Sequence, residues 1–211
     1  MDTKGLKEAI KKAKESKPRK FTQTIELIVK LRGYDPKKDG DINMIVDLPK
    51  IHKTATVCAI VGPELLDKSN KCDKVLTDKQ LEALNDKEAL ELAKTYDFFL
   101  AQVQLMPQLA KKVGRILGPL GKMPNPKRGQ VLSPKSDVNA VAERLKTSIK
   151  VSANRQKAIT TIVGDEKMSD NELVKNVEVI LDSIKKALPS SQAVIDNIKI
   201  KTTMGKPIKL K

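Results

Sequence analysis

The sequence predicts an α/β protein of two domains, one assembled from both chain ends and the other inserted within it. Three observations carry this. Segments with strict apolar alternation, the mark of half-buried antiparallel strands, lie near both ends of the chain. Between them stand short runs that are apolar at nearly every position, as in strands covered on both faces, separated by stretches of helical periodicity. The charge divides as well: residues 1–54 and 149–211 together carry 26 basic and 15 acidic groups, a balance of +11, while residues 55–148 carry 15 and 11, or +4. The domains are therefore placed at 1–54 with 149–211, and at 55–148.

Residues 3–15 read as a basic helix with Leu6, Ala9, Ile10 and Ala13 on one face, stopped by Pro18. In the stretch 21–31, Phe21, Gln23, Ile25, Leu27, Val29 and Leu31 share one face, so core burial is the expectation for Phe21; Thr22, Thr24, Glu26 and Lys30 share the other. The polar turn GYDPKKDGD leads to a second strand, INMIVDLP, expected to pair antiparallel with the first. TVCAIVG and DFFLAQV have the composition of buried parallel strands. Thr77 with Gln80, and Asn85 with Glu88, have the spacing of capping boxes at helix starts. LMPQLAKKVGRIL is a helix closed by Gly118 and Pro119; SDVNAVAERLKTSI is another, with Val138, Val141, Ala142 and Leu145 on its apolar side. This alternation calls for a parallel sheet covered on both faces.

The last third returns to the first pattern. IKVSAN and KAITTIVG alternate as strands. Ser169 caps the strongest helix, Glu172 completes its box, and Leu173, Val177, Ile180, Leu181, Ile184 and Leu188 form its apolar stripe. The tail from Val194 reads as one final alternating strand, with TTMG near its end as an edge-strand glycine bulge.

Composition narrows the function. Forty-one Lys and Arg stand against 26 Asp and Glu, a formal charge of +15 that asks for a polyanion, nucleic acid being the commonest. Two acid-free windows, Phe98–Ser136 and Asn197–Lys211, concentrate the basic groups. No apolar run is long enough to cross a bilayer, and the first residues lack the apolar segment of a secretory signal, so a cytoplasmic protein without membrane association is expected. Cys58, Cys72 and His52 are too few for a structural zinc site, and buried reduced thiols are the better reading. One His and scattered carboxylates give no activated nucleophile or acid–base pair, so no enzyme, no metal and no cofactor is expected.

The string GRILGPLGKMPNPKRG looks like a phosphate loop but fails the test: Ile116 stands where the first Gly is required, and Met123 where a Ser or Thr should hold magnesium. What remains is a basic loop fixed by Gly and Pro, with Arg115, Gly118, Gly121, Lys122, Asn125, Lys127 and Arg128 as a secondary anion contact; the same string serves equally as a structural turn. With only five aromatic residues and no Trp, a large base-stacking surface is excluded. RNA binding here must then rest on shape, phosphates and 2′-hydroxyls, for which small hydroxyls beside glycine are suited, as in Thr202, Thr203, Met204 and Gly205.

Three segments, KFTQTIE at 20–26, MPQLAKKVGRILGPLGKMPNPKRG at 106–129 and TTMGKPIK at 202–209, together resemble the ribosomal protein L1 family, with an archaeal lean, over essentially the whole chain. The resemblance implies an antiparallel α+β sandwich formed by both termini and an inserted Rossmann-like domain, joined by a hinge. It implies a ribosomal, monomeric-when-free protein that binds large-subunit rRNA at the mobile stalk near the tRNA exit site. Release of deacylated exit-site tRNA, and repression of its own mRNA through an rRNA-like site, are also implied. Carried over by motif, the RNA-binding residues are Lys20, Phe21, Thr24 and Glu26, with Thr202, Thr203, Met204 and Gly205; Lys150, Ser152 and Arg155, near Asn154, match less sharply. Glu26 is expected to meet RNA hydroxyls or base edges, or to pair with Lys20 or Lys30. A ribosome-assembly or RNA-chaperone protein of the same fold is the alternative.

Overall fold

A computed structural model describes residues 3–15, 17, 19–35, 39–40, 42–134, 136–153, 157–188 and 193–210. Pro18, Lys135, Asn154, Arg155 and Lys211 lie outside the described residues. The chain forms two compact units, Met1–Lys53 with Ser148–Lys211, and Thr54–Thr147.

The first unit opens with α1 (Thr3–Lys14), whose Leu6, Ala9, Ile10 and Ala13 are buried as the periodicity predicts. Its strands are β1 (Thr24–Arg32), β2 (Ile42–Asp47), β7 (Ser148–Ala153), β8 (Ala158–Asp165), β9 (Val194–Thr202) and β10 (Ile208–Lys209), with α7 (Asp170–Ala187) between β8 and β9. The main sheet runs β10-β9-β1-β8, antiparallel throughout. Alternation in β1 sends Ile25, Leu27, Val29 and Leu31 into the core. There they share a cluster with Ile159, Val163, Ile200 and the stripe of α7, namely Leu173, Val177, Ile180, Leu181 and Ile184. Ser169 and Glu172 form the predicted capping box. Lys14 ties α1 to the start of α7 through Asp170 at 2.7 Å and the Met168 carbonyl at 2.6 Å.

Three expectations fail here. β1 and β2 do not pair with each other: β1 lies between β8 and β9, while β2 pairs with β7 in a separate two-stranded ribbon. Apolar alternation sets which face is buried but says nothing of the partner, and the partner of β2 lies a hundred residues away. The tail is not one strand but a hairpin, since β9 turns at Thr203–Gly205 and returns as β10, which makes β9 an internal strand and not an edge. Phe21 precedes β1 and is 53% exposed, so the alternating face begins at Gln23.

The second unit holds a parallel sheet in the order β4-β3-β5-β6, from β3 (Val57–Ile60), β4 (Lys74–Leu76), β5 (Phe98–Gln102) and β6 (Val131–Leu132). Its helices are α2 (Pro63–Leu66), α3 (Asp78–Ala83), α4 (Asp86–Thr95), α5 (Met106–Leu117) and α6 (Val138–Lys146). Leu81, Ala89, Ala93, Leu109, Val113 and Leu117 from α3, α4 and α5 pack on Cys58, Ile60, Phe99 and Ala101. α6 packs on β3, and Val57, Ala59 and Leu100 on the other face are equally buried. Both capping boxes predicted for α3 and α4 form. α6 ends at Lys146, earlier than its periodicity suggested, and Ser148 already belongs to β7. Burial pushes the Cys58 thiol up to about 12, which keeps it a protonated core residue.

Candidate nucleic-acid interface

Two sequence-distant motifs meet at one end of the antiparallel sheet. Ile25 of β1 faces Thr202 of β9, so the residues just beyond each, Thr24 and Thr203, are neighbours. Their hydroxyls lie 2.9 Å apart. The Thr203 hydroxyl also accepts from the Thr24 N–H at 3.1 Å, and the Thr203 N–H donates to the Thr24 carbonyl at 3.0 Å. Gly205 N–H closes the turn onto the Thr202 carbonyl at 3.0 Å. The turn is therefore held by its own backbone and hydroxyls, and its apolar side chain is left outside: Met204 is 60% exposed. Phe21, Lys20 and Thr22 are exposed in the segment leading into β1.

Two residues that the sequence did not single out support this end. Gln23 is 2% exposed, and its Oε1 accepts from the Met204 N–H at 3.3 Å. The Gln23 N–H donates to Glu166 Oε1 at 3.1 Å, and the Glu166 N–H returns to the Gln23 carbonyl at 3.0 Å. Gln23 falls on the apolar face of an alternating strand, which was its one legible signal; Glu166 sits in the polar turn after β8 and gave none.

The other predicted residues separate into groups. Thr202 is fully buried, so it braces the turn from inside. Glu26 pairs with Lys201 across β1 and β9 at 2.9 Å, not with Lys20 or Lys30. The cross-strand register places Lys201 directly opposite, whereas Lys30 lies four residues along the same strand. Lys150 and Ser152 lie on β7, in the ribbon with β2, opposite Ile45 and Asn43. They belong to a different sheet from the Thr24–Thr203 pair.

The secondary basic loop is largely spent on its own unit. Lys122 donates to the carbonyls of Ala93 at 2.9 Å and Tyr96 at 2.7 Å, capping the end of α4 with two of the three N–H groups of its ammonium. Asn125 caps the short 3₁₀ turn Pro126–Arg128 through the Lys127 N–H. Gly121 and Gly129 have φ of 62° and 68°, and a side chain at Gly118 would meet the Gly114 carbonyl at 2.7 Å. The Arg128 carbonyl accepts from Arg144 at 3.3 Å, and burial lowers the Arg128 pKa. Arg115 and Lys127 remain exposed. Among the described residues no group of three His, Cys, Asp or Glu side chains could hold a metal, and no helix is long and apolar enough to cross a membrane.

The architecture defines a class: a mixed α/β protein with an antiparallel sheet in one unit and a parallel sheet in a second unit inserted into its chain. Residues 10–206 match the ribosomal protein L1p/L10e family. Three archaeal relatives carry the description large ribosomal subunit protein uL1. The one from Cenarchaeum symbiosum is 38% identical, covering 95% of this chain and 93% of its own. Those from Nanoarchaeum equitans, 38% identical over 95% and 97%, and Methanobrevibacter smithii, 37% identical over 96% and 97%, are similar in extent. The chain belongs to the ribosomal protein L1p/L10e family.

Proposed function

We propose that the chain is a structural, non-enzymatic protein of the large ribosomal subunit, located on cytoplasmic ribosomes, that binds large-subunit rRNA through the unit built from both termini. The observation that carries this reading is the joined end of β1 and β9. There, paired threonine hydroxyls, an exposed Met204 and an exposed Phe21 stand on the more basic of the two units. Hydroxyls can exchange hydrogen bonds with 2′-hydroxyls and base edges, and the turn at Gly205 lets a ribose approach the main chain. Met204 and Phe21 would pack on sugars, while Lys20 and the surrounding basic residues would meet phosphates and make affinity salt-dependent. Family membership supports placing this contact at the mobile stalk near the tRNA exit site. It also supports a role in release of deacylated tRNA and repression of the protein's own mRNA through an rRNA-like site.

The test is Thr203→Val. It keeps the side-chain shape and removes the hydroxyl with its bonds to Thr24, so rRNA affinity should fall by about 1–3 kcal/mol, the range for losing a buried hydrogen bond, while the Thr203 N–H to Thr24 carbonyl bond keeps the two strand ends joined. Unchanged affinity in a calorimetric titration removes Thr203 from the site.

A further inference from the structure

We propose that the open face of the four-stranded sheet carries a second contact, a cationic groove that takes the sugar–phosphate backbone of the RNA read at the β9–β10 turn. This rests on the RNA-binding reading above. Ile28, Lys30, Lys157, Ala158, Asn197 and Lys199 line an open depression of about 310 Å³. The register explains how they meet: Lys30 of β1 faces Asn197 on β9 and Ala158 on β8, and Ile28 faces Lys199. Lys157, one residue before β8, completes the ring, and Lys209 of β10 stands directly opposite Lys199. Like charges set side by side on adjacent strands destabilise a sheet unless an anion lies among them.

None of the lysines lining the groove has a carboxylate partner among the described residues, although Lys201, one alternation step along β9, is paired to Glu26.

The groove and the turn belong to one continuous face. The burial pattern of β1 turns Thr24, Glu26, Ile28 and Lys30 to the same side, away from the core. Six residues of strand span about 20 Å, the length of a short RNA segment. One RNA segment thus reaches from the threonine hydroxyls, across the neutralised Glu26–Lys201 pair, to the lysine groove.

The experiment measures retention of a large-subunit rRNA transcript from Methanobrevibacter smithii by the full chain as a function of KCl concentration. Each phosphate neutralised contributes about 0.7 (single strand) to about 0.9 (duplex) to the slope of log affinity against log salt. The combined variant Lys30→Gln, Lys157→Gln, Lys199→Gln should lower that slope by about 2–3 while keeping preference for the transcript over random-sequence RNA. A control, Lys79→Gln, Lys87→Gln, Lys94→Gln in the other unit, should leave the slope unchanged. A slope loss below about 1, or one no larger than the control's, overturns the groove. If the unaltered chain holds the transcript no better than random RNA, the parent reading fails instead, whatever the lysine variants do.

Discussion

Gln23 joins the segment before β1 to the β9–β10 turn across 181 positions of sequence, with its carboxamide on the Met204 N–H and its own N–H on Glu166. The side chain is almost sealed from water, and removing its amide takes away the acceptor that holds the Met204 N–H. Gln23→Leu should therefore cost about 1–3 kcal/mol in urea unfolding and weaken RNA binding together. Lys122 makes the opposite case. Its ammonium caps α4, so Lys122→Met should destabilise the parallel unit by about 1–2 kcal/mol and leave RNA affinity where it was. A loss of RNA affinity without a loss of stability would return Lys122 to the anion-contact role that its basic loop suggests from sequence. The motifs around Thr24 and Thr203 were each visible in the sequence, but their pairing across 179 positions was not. Gln23 as a brace, Glu166 as its partner and the capping role of Lys122 were not, because each is defined by a contact with a distant segment.

The same division holds for whole elements. Capping boxes at Thr77, Asn85 and Ser169 were legible because every participant lies within one helical turn. The alternation of β1 and the stripe of α7 were legible because burial follows period. The ribbon of β2 with β7, and the three-residue β4, were not: the first pairs across the inserted unit, and the second is too short to show any period. The pairing of β4 with β3 is fastened by Asp73, whose carboxylate accepts from the Val57 N–H at 2.7 Å and from Lys146 at 3.0 Å. Burial raises its pKa, but the hydrogen bonds from Val57 and Lys146 outweigh that and hold it below the usual carboxylate value. A group depressed on folding stabilises the folded form above its unfolded pKa and loses that contribution as pH falls through the folded value. Acid unfolding of the parallel unit should therefore include an Asp73 component below about pH 4 that Asp73→Asn abolishes, read by circular dichroism against pH.

At the scale of the molecule, the two units divide both chemistry and charge. The antiparallel unit gathers the motifs from residues 20–26 and 202–205 into one end of one sheet, and its segments carry most of the net positive charge. The parallel unit spends Lys122 and Asn125 on its own loops, leaving Arg115 and Lys127 exposed. The scarcity of aromatic residues fits a surface that offers hydroxyls, a thioether and lysines rather than stacking platforms. We propose that rRNA is recognised at the joined end of β1 and β9. Amide hydrogen exchange of the full chain, with and without a large-subunit rRNA transcript, tests that claim most directly. Recognition there requires protection concentrated at residues 20–24 and 202–205. Protection confined to residues 106–129, with the β9–β10 turn unchanged, would contradict it.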